Sequence, residues 1–128
     1  MKSKLRNNWH QPAVPTDVVV EALADIRAAY TNRAPDSSPR LWSPPDAAGI
    51  HGVLWFVALQ QAALEAFPDR RPLITLDSGD RGDLAHAALR EGLQSICFRG
   101  SPAMLAKLRA IAGALGAIVE TRHPALPD

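Results

Sequence analysis

Across residues 41–120, short apolar runs alternate with longer stretches of mixed character. Leu41-Trp42-Ser43, Leu73 to Asp77, Ser95 to Phe98 and Ala117 to Val119 are too short for helices and contain β-branched or aromatic residues, so they predict four strands. The stretch from Asp46 to Phe67 predicts one long helix, capped by Asp46 and stopped by Pro68. Ser78-Gly79-Asp80 is a turn signal, and a helix after it runs to Glu91, with Gly92 at the left-handed C-terminal position. Asp80 suits its N-cap and Asp83 its first turn, where carboxylates complement the dipole. A third helix opens at Ser101-Pro102 and carries the stripe Met104, Leu105, Leu108, Ile111, Ala112 and Leu115. Gly116 closes it.

Upstream of this alternation, Val18, Val19, Ala22, Leu23, Ile26 and Tyr30 recur at three- and four-residue steps. They predict an N-terminal helix over 16–31, with Thr16 as N-cap and Asp17 at its dipole. Residues 32–40 hold Pro35, Ser37, Ser38 and Pro39 and read as a linker. Residues 1–15, polar with Pro12 and Pro15, read as a flexible arm, and 121–128 as a tail.

Strands separated by helices of about ten residues or more pair in parallel, because a parallel crossover needs such a connection. The expected fold is therefore α/β: a small, mostly parallel sheet of about four strands in a three-layer, flavodoxin-like or half-Rossmann arrangement, with an extra N-terminal helix. The length of 128 residues suits one domain over 16–128.

Composition narrows the function classes. Apolar residues at 47% and charged residues at 21% describe an ordinary globular chain. The formal net charge is +1, and the basic residues are scattered apart from Arg70-Arg71, so no stripe for nucleic acid is visible. The one cysteine, Cys97, excludes an internal disulfide framework and a multi-cysteine zinc site, and its place between Ile96 and Phe98 reads as a buried structural thiol. The longest apolar run, Val53 to Leu59, is far shorter than the ~20 residues that span a bilayer. No apolar core follows the basic N-terminus, so a cytoplasmic location is expected, without membrane or nucleic-acid partners.

Candidate chemistry gathers beyond the carboxyl ends of the strands, where open α/β sheets bind ligands. Asp77 ends the second predicted strand and is the first candidate for a base or ligand contact. His51, early in the long helix, is the best-placed general base of the four histidines. Arg99 and Ser101 flank a helix start and suit an anion. Asp77, Asp80 and Asp83 lack the alternate-residue spacing of an EF-hand, and no metal or cofactor is expected. Walker, GxGxxG, HExxH and GxSxG motifs are absent. Arg81-Gly82-Asp83 spells an adhesion tripeptide, but it falls at a helix start, and chance explains it better.

The alternation over 41–120 resembles flavodoxin-like folds, receiver domains among them, at the level of architecture. Asp77 stands where a receiver's phosphoacceptor would. Arg99-Gly100 ends the third strand with no strand-end lysine after it, so no residue role is carried over.

The long helix is apolar on more than one side. Ile50, Val53, Leu54, Val57 and Leu64 form a stripe that can cover a sheet, while Trp55, Phe56, Leu59, Ala62 and Phe67 fall elsewhere. The expectation is a homodimer through the helix carrying Trp55 and Phe56, aromatics being enriched at interface centres. Two functions follow: a non-enzymatic regulatory or interaction module that self-associates, or a protein or enzyme that binds an anionic metabolite or phosphate at the strand ends.

Overall fold

The computed structural model describes residues 16–31 and 33–127; the arm expected over 1–15 lies outside them. Among the described residues the chain order is β1 (Asp17–Val19), α1 (Leu23–Tyr30), β2 (Arg40–Trp42), α2 (Ala47–Ile50), α3 (Val53–Ala66), β3 (Ile74–Asp77), α4 (Gly82–Arg90), β4 (Ser95–Cys97), α5 (Pro102–Leu115) and β5 (Ile118–Glu120). All neighbouring strands pair in parallel. The α/β class and the flavodoxin-like alternation of strand and helix both hold. The sheet has five strands rather than four, laid side by side in chain order.

The extra strand lies where a helix was expected to begin. Asp17 to Val19 pair with Arg40 to Trp42, and Val20 N–H extends the ladder to the Trp42 carbonyl at 2.8 Å. Three consecutive valines favour extended backbone, where their branched side chains keep χ1 freedom that a helix would remove. The helix begins later, at Leu23, where the Asp25 carboxylate accepts the N–H groups of Glu21 and Ala22 at 2.8 and 3.1 Å.

The long helix is likewise two. α2 ends at Ile50, and α3 starts after Gly52, whose φ of +94° few other residues adopt. Asp46 stands at the head of α2 in the left-handed region, φ +61°, and its side chain makes no cap. Asp80 is not the cap of α4 either; that position belongs to Arg81, which grips Asp83 with two hydrogen bonds of 2.9 and 3.0 Å. The last helix begins and ends as its sequence signals require. Ser101 Oγ accepts Met104 N–H, Pro102 opens the first turn, and Gly116 closes it at φ +71°.

Strand side chains sort cleanly between the two faces. Val18, Leu41, Ile74, Leu76, Ile96 and Val119 meet Ile26, Phe56, Leu59, Ala85, Leu89, Leu108 and Ala112, from four helices, in one apolar core. Successive crossovers all step the same way, so right-handed connections bring the helices to this one face. The opposite face carries Arg40, Trp42, Thr75, Asp77, Ser95, Cys97 and Glu120, none of which joins the core cluster. Arg40 Nη2 lies 3.2 Å from Glu120 Oε2.

The C-terminal tail crosses that face. His123 is buried, its Nε2 2.7 Å from the Ser43 carbonyl, and its Nδ1 receives Ala125 N–H at 3.0 Å. Its ring meets Trp42 edge-on at 5.4 Å. Among the described residues no helix is long and apolar enough to cross a membrane.

Candidate functional site

The turns after β2, β3 and β4 meet around one buried carboxylate. Asp77 ends β3 with no exposed surface. Its Oδ2 accepts Asp46 N–H at 2.6 Å and Arg99 Nη2 at 2.8 Å, while its Oδ1 accepts Arg99 Nε at 3.1 Å. Arg99 therefore grips Asp77 with two parallel bonds, the geometry that suits a guanidinium best. The same Nη2 lies 3.2 Å from Asp46 Oδ1, so one cation is shared between two carboxylates.

The local sequence explains how three turns come so close. Ser43 Oγ accepts Asp77 N–H at 2.8 Å and donates to the Pro44 carbonyl, tying the β2 turn to β3. Gly79 takes φ +59° directly against Asp46, and a Cβ there would run into the Asp46 carboxylate. Arg99 N–H donates to the Gly79 carbonyl at 2.7 Å, closing the β4 turn onto the β3 turn. Ser78 Oγ adds a bond to the Cys97 carbonyl at 2.9 Å.

Electrostatics follow from this packing. Burial pushes the Asp77 carboxyl up, but hydrogen bonds from Arg99, Asp46 N–H and the Cys97 thiol, with the Arg99 charge, outweigh it and hold the group below its usual range. The hydrogen bond to Asp77 raises Arg99 in turn. Burial first, and then the Asp77 charge, push the Cys97 thiol far up, so it carries no thiolate at neutral pH. A carboxylate held this low and this fully bonded is a weak base. Its geometry is that of a clamp between turns.

Of the residues singled out from the sequence, the structure brings Asp77 and Arg99 together. His51 sits elsewhere in its contacts: Nε2 is 3.0 Å from Glu21 Oε2, and its ring neighbours are Trp55 and Phe56. Ser101 caps α5, accepting Met104 N–H at 3.2 Å. Asp46 and Ser43 complete the cluster; from the sequence Ser43 ends a strand and Asp46 caps a helix, and neither role points to Asp77. Among the described residues no three His, Cys, Asp or Glu side chains gather as metal ligands. No family model, curated protein or solved structure matches this chain. What the protein does therefore has to be argued from its own surfaces.

Two of these surfaces stand out beside the clamp. One is the outer side of α2 and α3, where Ile50 is 71%, Leu54 67% and Trp55 51% exposed. The expected stripe is split: Val53 and Val57 pack against the core beside Phe56, Leu59 and Ala63, while Ile50, Leu54 and Leu64 face outward. Phe56, fully buried, has no surface to offer a partner. The other surface is the polar face of the sheet.

Proposed function

We propose that the protein is a non-enzymatic interaction module that pairs with a second copy of itself through the outer side of α2 and α3. The observation that carries this reading is the exposed apolar group Ile50, Leu54 and Trp55. Scattered exposed apolar residues are ordinary, but three large ones within six positions on a helical surface mark a contact site. Trp55 is held ready, its Nε1–H donating to the Glu21 carbonyl at 3.1 Å. Beside it lies an apolar hollow between α1 and α3, lined by Ala22, Leu23, Ala58, Leu59 and Ala62. A projecting apolar group next to a hollow suits two-fold pairing, in which each copy fills the other's hollow.

The strand-end cluster supports the non-enzymatic half of this reading. Asp77 and Arg99 neutralise one another, and neither is left poised for proton transfer. A homodimer of standard size covers about 800 Å² on each partner, which would take in the neighbouring Glu21, His51 and Gln61.

Sedimentation velocity tests the reading. The wild-type chain should sediment as a dimer at micromolar concentration. Leu54→Glu should be monomeric with unchanged helix content, whereas Leu115→Glu, at an exposed apolar position on α5, should leave the dimer intact. A monomeric wild type would end the proposal.

A further inference from the structure

The polar face of the sheet holds a hollow of about 220 Å³ near the starts of the strands. Thr75 and Ser95 line it, and both are at least nine-tenths buried, at 7% and 2% exposed. Their hydroxyl oxygens are 2.7 Å apart. Two hydroxyls bring two protons, and the contact between them uses only one. Neither hydroxyl has another protein partner among the described residues, so one buried donor at the hollow lacks an acceptor.

The charge of the walls points the same way. Arg40, Arg70 and Arg71 face a single carboxylate, Glu120, in a chain whose formal net charge is only +1. Arg40 is paired with Glu120 at 3.2 Å and reaches Asp17 at 3.9 Å. Arg70 gives its N–H groups to the carbonyls of Tyr30, Arg33, Ala34 and Ser37 and lies over the Tyr30 ring, and its charge meets no carboxylate among the described residues. Arg71 beside it has no partner among the described residues, and its backbone is held at φ +48°. A bulky residue in that region is uncommon, and here it precedes a proline.

We infer that this hollow binds a small organic anion. Its oxyanion takes the guanidinium of Arg71 and the spare proton of the Thr75–Ser95 pair, and its apolar part rests on Leu73 and Ile118, which are 38% and 48% exposed. A carboxylate and a phosphate share this chemistry. The site differs from the strand-end turns, where Arg99 is already engaged by two carboxylates. It also lies at the edge of the sheet where the strands start, with Tyr30 and Leu41 in its wall, and shares no residue with the pairing surface.

Isothermal titration calorimetry on the full chain, with inorganic phosphate in one series and malonate in another, decides the matter. At least one series should show saturable binding that weakens as sodium chloride is raised. Arg71→Ala and Ser95→Ala should each weaken it about tenfold or more, the usual cost of losing a hydrogen bond to a charged group. Arg71 is exposed, so its replacement should leave the thermal midpoint without anion unchanged. Response to phosphate alone assigns a phosphorylated ligand, and response to malonate alone a carboxylate. Absence of saturable heat from both probes, or wild-type affinity in Arg71→Ala, overturns the inference.

Discussion

Asp77 is a carboxylate kept ionised inside the protein by what surrounds it, and that fixes how its stability should depend on pH. Its folded pKa lies below the unfolded value, so its contribution is complete above the unfolded pKa and is lost as pH falls through the folded one, below about pH 4. Arg99→Ala removes the largest opposing influence and leaves burial dominant. Stability at pH 7 should fall by about 3–5 kcal/mol, as for other buried pairs broken on one side. The pH dependence should also change sign, with stability declining as pH rises from about 4 toward 7 because the buried carboxyl now resists ionising. Urea denaturation of both proteins across that range measures this directly; parallel profiles would remove Arg99 as the controlling partner. Asp77 and Arg99 were legible in the sequence because strand ends are recognisable and their turns must converge. Asp46 was legible only as a helix cap. Its left-handed backbone turns its N–H toward Asp77 and its carboxylate toward Arg99, and no local pattern encodes such a contact across 31 residues.

At the scale of elements, α3 separates what apolar periodicity predicts from what packing selects. Phe56 and Leu54 stand two positions apart with similar apolar character, yet one is fully buried and the other two-thirds exposed. Phe56→Ala should cost about 3–5 kcal/mol in equilibrium unfolding of the monomer, and Leu54→Ala less than about 0.5 kcal/mol. Comparable losses at the two positions would mean that the helix is rotated from the orientation described. Strands β2 to β5 were legible within a residue or two at each end, because short apolar runs between turn signals leave few alternatives. β1 was not. The same positions, Val18, Val19 and Leu23, satisfy a helical spacing, and what decides between the two is pairing with Arg40 to Trp42, a partner the local sequence does not display. The break between α2 and α3 was missed for a related reason: Gly49 and Gly52 lie in one apolar stretch, and only Gly52 takes a positive φ.

For the whole molecule, the division between an apolar and a polar sheet face matters most. The core lies under the helices, while the polar face is spanned by the Arg40–Glu120 pair and by the tail. His123 anchors the tail in a single hydrogen-bonding state, with Nε2–H donating to the Ser43 carbonyl and Nδ1 accepting Ala125 N–H. His123→Ala should cost about 1–3 kcal/mol and expose Trp42, seen as lower unfolding free energy with easier acrylamide quenching. Unchanged quenching would show that the tail holds its place without the imidazole. This arrangement was half legible, in that residues 121–128 read as a tail but gave no sign of which strand they would return to.

Laying strands down in the order of synthesis has a consequence for how the protein assembles. No segment has to be threaded between two that are already in place, since each new β–α unit docks on the edge left open by the one before. Most loop closures are therefore short, and the entropic barrier to each stays small. β3 and β4, with neighbours on both sides and every residue buried, form the middle of the sheet. The first and last strands, each with a single neighbour, are the ones whose amides open most readily to solvent.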